Sequence, residues 1–334
     1  MKFFLVALCA AFVLSLSGCS LADGQNADKD SRTWFVFGTL ATVTVVGDDR
    51  KTVQDALDAD FERLCEIEKI FSYTDPESEL SRLNAAAPSG EPITVSEELF
   101  SLIQEGLRYS EETGGAFDIT LGALIDLWGV DGDNPRVPSR GEIESLLPYI
   151  GYENVILDAE NRTVAFSNKH VKIHLGGIAK GYAAQRLALA DNVNSVIADL
   201  GGDIVFAGEP PNKTAWRIGI ADPANPGGIV MTLKLPREDG CTAIMTSGTY
   251  QRFFERDGKR YHHILDPKTG YPASSGIVSA TVMMTRGSGA EADALATAII
   301  VEGEEFARER VEQAVLITDD GEIIMIGVTD VVYD

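Results

Sequence analysis

Basic residues are scarce in this chain. The 28 lysines and arginines face 51 aspartates and glutamates, giving a formal net charge of -23. A field of that sign repels polyphosphate backbones and argues against nucleic acid as a partner. A single phosphorylated ligand can still be held where a cation or an oriented helix end neutralises it locally. Histidine is rarer still, at four in 334 residues. Cysteine is too sparse for a disulfide framework, and Cys65 and Cys241 are the two left once Cys9 and Cys19 are assigned to the N-terminal segment below. Outside the cytoplasm the two could form one disulfide, but Cys65 falls on the apolar stripe of a predicted helix, so a buried free thiol is the expectation there. There is no fixed-period repeat and no low-complexity tract. What is present, 45% hydrophobic and 24% charged residues, is the composition of a globular chain with a sizeable core.

The N-terminus reads as a targeting segment. Lys2 precedes an apolar run from Phe3 to Leu14, too short for a stable membrane-spanning helix. The run ends in Leu16-Ser17-Gly18-Cys19, which resembles the lipobox of bacterial lipoproteins. That resemblance implies residues 1–18 as signal peptide, lipidation of Cys19, and a membrane-anchored protein facing the extracytoplasmic side (periplasm or outer surface of the cytoplasmic membrane). Residues 19–33 are small and polar, as in a flexible tether, and residues 34–334 form the folded domain.

Trp34 to Val46 reads as a strand pair broken at Gly38. Asp55 to Phe71 carries the 3.6-residue apolar stripe of a helix. A second helix is predicted over 96–113 with Thr94 and Glu97 as capping box, and a third starts at Ser139 with Glu142 completing its box. Val171 to Leu175 reads as a strand leading through Gly176-Gly177 into a helix over 179–189. Two strands flank the hairpin signal Gly201-Gly202. Further strands alternate irregularly with helices over 290–301 and 304–314. Without regular β-α alternation the fold class is α+β, with mixed or antiparallel sheets and flanking helices.

Three stretches could carry chemistry. Tyr261-His262-His263-Ile264-Leu265-Asp266-Pro267-Lys268-Thr269-Gly270-Tyr271-Pro272 joins two of the four histidines to a rigid turn. Leu175-Gly176-Gly177-Ile178-Ala179-Lys180-Gly181-Tyr182 puts glycines and a lysine where a strand gives way to a helix, a place that attracts phosphate; a plain turn with a solvated lysine fits the same residues. In Ser288-Gly289-Ala290-Glu291-Ala292-Asp293-Ala294-Leu295-Ala296-Thr297, Asp293 and Thr297 are four apart and share a helix face. Together they suggest hard oxygen ligands for Mg²⁺ or, equally, a local hydrogen bond near a helix start.

In this order the segments resemble the ApbE family, the FAD:protein FMN transferases. The matching stretches are Phe37 to Thr39, Ser72 to Asn84, Gly114 to Thr120, Leu175 to Tyr182, Asp199 to Ile204, Ser247 to Phe253, His262 to Pro272 and Ala292 to Ala298. The resemblance implies an FAD site in a cleft between subdomains. Asp293, Thr297 and the Gly177 carbonyl would hold Mg²⁺ against the FAD diphosphate. Phe37, Tyr73, Ala116, Phe117, Asp118, His174, Lys180 and Ile264 would contact FAD, and His263 would be the catalytic base. FMN would pass to a threonine of an acceptor protein, releasing AMP. Family acceptors carry that threonine in a short motif and belong to membrane redox complexes. Three positions depart from the family pattern: His174 and Gln185 stand where aspartate is usual, and Phe37 where methionine is. Two other readings share these residues, an Mg²⁺-dependent FAD pyrophosphatase and a non-enzymatic flavin-binding or trafficking lipoprotein.

Overall fold

A computed structural model describes residues 27–130, 132, 134–187, 193–210, 214–236 and 240–333. The expected signal peptide and Cys19 lie outside the described residues. The hairpin of β1 (Asp28–Val36) and β2 (Thr39–Gly47) turns through Phe37 and Gly38. Both have positive φ, at 53° and 68°, the turn geometry that matches strand twist. β1 begins inside the stretch read as tether. Its polar residues pair instead of flexing: Thr33 and Ser31 bond the hydroxyls of Thr42 and Thr44 across the hairpin, and Arg32 pairs with Asp58. A polar run read as a linker is here a sheet edge.

α1 (Arg50–Phe71) starts a turn earlier than predicted because the Asp49 carboxylate accepts from Thr52 N. Cys65 is half-buried on α1 and, like Cys241, a free thiol. α2 (Glu79–Ala86) and β3 (Ile93–Thr94) follow. α3 (Glu97–Glu112) is capped by Ser96 and not by Thr94, which is paired with Thr163 in a sheet. α4 (Gly122–Trp128) had no sequence signal, whereas α5 (Arg140–Leu146) has the expected Ser139–Glu142 box. β4 (Val155–Asp158) pairs with β5 (Thr163–Phe166). Residues 171–175 are not a strand. Their backbone is bonded by the Asn84 side chain, which both accepts from Ile173 N and donates to Ile173 O at 2.8 Å, and by Ile119 O, which accepts from His174 N.

α6 (Ala179–Gln185) is shorter than predicted. β6 (Val193–Leu200) and β7 (Ile204–Gly208) turn through Gly201 and Gly202, as the glycine pair signalled. The chain continues through β8 (Trp216–Ala221), β9 (Ile229–Leu235), β10 (Cys241–Gly248), β11 (Phe253–Arg256), β12 (Lys259–His262) and β13 (Ile277–Thr285). It ends with α7 (Gly289–Glu302), α8 (Glu304–Arg310), β14 (Ala314–Thr318), β15 (Ile323–Ile326) and β16 (Val331–Tyr333).

The fold is α+β. One antiparallel eight-stranded sheet has the order β1-β2-β6-β7-β10-β13-β14-β15. α1, α6 and α7 lie on one face of it, burying Val43, Leu57, Ala243 and Ala296. On the other face Ile204, Phe206, Ile244 and Val315 meet Trp216, Ile218, Met231 and Leu233 of the small β16-β9-β8 sheet. A separate cluster of Leu124, Trp128, Ile143 and Leu265 stands to the side. α7 is apolar on nearly every side because helix and sheet enclose it. It crosses α6 with no room for side chains: a methyl on Gly181 would lie 2.1 Å from Gly289 O, and one on Gly289 2.3 Å from Gly181 O.

Candidate active site

An open cleft lies where the starts of α6 and α7, the end of β10, the loop at 116–121 and the base of the β11–β12 hairpin meet. With its mouth and the open space over it, the cleft encloses about 820 Å³. At its floor, α7 presents Asp293 and Thr297 one turn apart. Gly177 is packed on Thr297 and Phe117: a methyl there would lie 3.3 Å from Thr297 Oγ1 and 3.1 Å from the Phe117 ring. Thr297 also shares a hydrogen bond of 3.0 Å with Ser247. Asp293 is buried and accepts from Gly181 N at 3.3 Å. Burial drives its pKa up to about 7, against the pull of Lys180. Asp293 and Thr297 offer the hard oxygen donors that suit Mg²⁺ bound jointly with substrate phosphate. Among the described residues no cluster of three or more His, Cys, Asp or Glu forms a self-sufficient metal cage.

Lys180 is ion-paired with the buried Asp203. Burial acts to lower its pKa, but Asp203 and Asp293 outweigh burial, and the net shift is upward. The ammonium therefore stays charged beside the cleft. Asp203 is positioned by the β6–β7 turn, and its other oxygen accepts from Thr246 N at 3.0 Å. Nearby Asp199 is raised to about 6, chiefly by burial.

His263 follows β12 and lines the cleft. Its Nδ1 lies 3.2 Å from Arg252 O. A carbonyl can only accept, so Nδ1 carries the proton and Nε2 is the basic nitrogen of the neutral ring. The turn behind it is rigid. The Asp266 carboxylate accepts from Lys268 N and Thr269 Oγ1, each at 2.8 Å, and Trp128 Nε1 donates to Gly270 O at 2.9 Å. Lys268 points away to Glu302. His262 is buried, neither facing solvent nor entering the cleft; its Nε2 bonds Ala273 O at 3.0 Å, and burial lowers its pKa.

The ApbE family matches over residues 37–318. The chain belongs to the ApbE family. A curated relative, "FAD:protein FMN transferase" of Treponema pallidum, is 35% identical over 311 residues, covering 88% of this chain and 84% of that one. The structure of the ApbE protein of Thermotoga maritima superposes with a TM-score of 0.79 at 36% identity, covering 90% of this chain and 97% of that one. "Flavin Transferase ApbE" of Vibrio cholerae superposes at 0.75 with 29% identity, covering 90% and 97%.

Of the residues the ApbE resemblance implied, Ala116, Phe117, Asp118, His174, Gly177, Lys180, His263, Ile264, Asp293 and Thr297 line one cleft. Phe37 and Tyr73 do not. Phe37 is at the β1–β2 turn, with its N–H donated to Glu68 at 2.6 Å. Tyr73 stands behind the cleft, its ring 4.8 Å from that of His174 and its hydroxyl donated to Asp126 at 2.9 Å. It supports the lining from outside. Asp118 lines the cleft, but its carboxylate is taken up by Thr120 of its own loop and by Tyr152 N of the turn before β4. His174 folds over the glycine turn, where its Nδ1 accepts from Gly176 N at 3.3 Å. Gln185, where ApbE chains usually have aspartate, donates to Gly287 O and accepts from Gly289 N. An aspartate could make only the second bond. Asp203, Thr246, Ser247, Gln251 and Arg252 also belong to the site and were not assigned from the sequence. For Asp203 the signal was its place directly after Gly201-Gly202, and for Ser247, Gln251 and Arg252 their place within Ser247 to Phe253; Thr246, one residue before that stretch, had none.

Proposed function

We propose that this protein is an Mg²⁺-dependent FAD:protein FMN transferase, moving the FMN half of FAD onto a threonine hydroxyl of an acceptor protein. The observation that carries the reading is the meeting, in one cleft, of the His263 imidazole with the Asp293–Thr297–Gly177 oxygens. Asp293, Thr297 and the Gly177 carbonyl would hold Mg²⁺, which when bound supplies positive charge to the diphosphate and to the departing AMP. His263 Nε2 takes the threonine proton. The threonine oxygen forms a bond to the FMN phosphorus, the anhydride P–O bond breaks, and AMP leaves with the bridging oxygen. Lys180, fixed by Asp203, adds a charge that compensates the anionic substrate. The cleft's apolar wall at Phe117, Leu121, Ile125 and Ile264 is suited to a flat ring system.

Incubation of the protein with FAD, Mg²⁺ and a threonine-bearing acceptor is expected to add the mass of FMN to that threonine and release AMP in equal amount. FMN and AMP freed in solution at the same rate with or without acceptor would instead select the pyrophosphatase reading.

We also propose residues 1–18 as a cleaved leader and Cys19 as the lipidated anchor of an extracytoplasmic enzyme, on the support of the short apolar run and Leu16-Ser17-Gly18-Cys19. A Cys19→Ser chain is expected to leave the membrane fraction and to lack the acyl mass. Unchanged membrane retention would remove the anchor from Cys19.

A further inference from the structure

α6 and α7 run past each other with little steric relief to stop them sliding. Where they touch, both are glycine: a methyl on Gly181 or Gly289 would meet the other's carbonyl at 2.1 or 2.3 Å, so no side chain seats as a ridge in a groove there. The contacts step along the two segments in opposite directions. Gly177 packs on Thr297, Gly181 N donates to Asp293 at 3.3 Å, and Gln185, the last residue of α6, reaches the start of α7. Its amide grips the backbone on either side of the N-cap Ser288: Nε2 donates to Gly287 O at 3.0 Å and Oε1 accepts from Gly289 N at 2.8 Å. A peptide N–H can only donate and a carbonyl only accept, which fixes the two ends of the amide. The bond to Gly289 also satisfies one of the N–H groups that a helix start leaves without a partner. Tyr109 of α3 reaches this start too, at 3.3 Å, but it meets the Ser288 hydroxyl and not the backbone.

We propose that Gln185 is a positioning residue for the cation: its two bonds set how far α7 is advanced along α6, and so where Asp293 and Thr297 stand against the cleft. The proposal rests on the Mg²⁺ site of the reading above and deepens it. Gly289 and Asp293 are about one turn apart on one helix face, so a slip at the first is carried to the second. Gln185 is suited to the task because neither of its partners is a proposed cation ligand. The Gly181–Asp293 bond, by contrast, draws on the carboxylate that the cation needs. Gln185 is half-buried, where a satisfied pair of hydrogen bonds is stronger than in open water. Groups that hold a ligand in place without touching the metal change metal affinity by ~10–100-fold.

The test titrates Mg²⁺ alone, at about pH 8 where Asp293 is largely ionised, against the full chain and a length-matched variant, Gln185→Met, which fills the same space and makes neither bond. The Mg²⁺ concentration needed for a given rise in melting temperature is expected to be roughly tenfold higher in the variant. In FMN transfer the half-saturating Mg²⁺ should move by the same factor, with the rate at saturating Mg²⁺ changed less than about twofold. A general loosening of the fold would move neither quantity. Ile299→Val, a buried change on the same helix, controls for it: it should lower the melting temperature and leave the Mg²⁺ requirement in place. Should Gln185→Met fail to fold, Gln185→Glu carries the test, because it keeps the acceptor for Gly289 N and loses only the donor to Gly287 O; its shift should be in the same direction and smaller. An unchanged Mg²⁺ requirement in a folded variant, or an equal shift in Ile299→Val, would overturn the proposal and leave the cation site standing. No response of the unaltered chain to Mg²⁺ would remove the cation site itself, and this proposal with it.

Discussion

Asp293→Asn is expected to lower FMN transfer about a thousandfold while making the cation-free protein more stable at alkaline pH. The loss follows from removing the only carboxylate of the proposed cation set, whose charge stabilisation is worth several kcal/mol. The gain follows from burial. Asp293 is 2% exposed, and its pKa is raised from 3.8 to about 7, mainly by burial, with Lys180 pulling the other way. A folded-state value above the unfolded one means that the folded protein holds the proton more tightly. The stability this contributes is full below pH 3.8 and is lost as pH rises through about 7. Asparagine removes that penalty, by an amount on the order of 1–3 kcal/mol at pH 8 and close to none at pH 4. Lys180 keeps its partner Asp203 in the variant. Thermal melts without divalent cation at the two pH values measure the gain. Added Mg²⁺ should raise the melting temperature of the unaltered protein, less so below pH 7, and leave the variant unmoved. Equal stabilisation of both proteins by Mg²⁺ would take Asp293 out of the cation set.

His263→Ala is expected to slow transfer by about 10²–10³-fold, the usual share of a general base, with little change in FAD affinity. The reason for the split is role: His263 lines the cleft and is fixed to Arg252 O through Nδ1, so in the proposed reaction its removal takes away a proton acceptor and not a cation ligand. In the unaltered enzyme the rate should fall on acidification as the imidazole gains its proton. The variant should lose the share of that dependence that belongs to the imidazole and keep the share set by protonation of Asp293 near pH 7, and added imidazole should restore part of the rate. Single-turnover transfer with saturating FAD measures both effects. A variant as fast as the parent would leave the base unassigned.

Glycine pairs and caps were the most readable features of this chain. Gly201-Gly202 named a two-residue turn because only φ > 0 closes it, and Ser139 with Glu142 named a helix start because both partners of the box are local. Failures came where a distant group decided the outcome. Residues 171–175 have strand composition, yet the side chain of Asn84 takes the place of a neighbouring strand. Thr94 fits a cap, but β5 claims its backbone. Residues 28–33 look like a linker until Thr42 and Thr44 are brought alongside.

Within the site, Asp293 with Thr297 was legible because helical spacing alone puts them on one face. The ion pair of Asp203 with Lys180 was not, because the two are joined only when the β6–β7 turn folds beneath α6. Tyr73 was expected to contact FAD because the ApbE resemblance over Ser72 to Asn84 implied it. The fold spends its hydroxyl on Asp126 and its ring on His174.

The proposed cation ligands stand within the main core, whereas the proposed base sits at the seam between that core and the small lateral cluster. Asp293 and Thr297 stand on α7, whose buried alanines belong to the main core. Ile264, next to His263, belongs to that core as well, but Leu265, one residue further, is packed with Trp128 and Ile143 in the small lateral cluster. Small clusters open at lower free energy than the large core beside them. Warming would therefore disengage the histidine before the sheet melts, and heat inactivation would precede the loss of secondary structure.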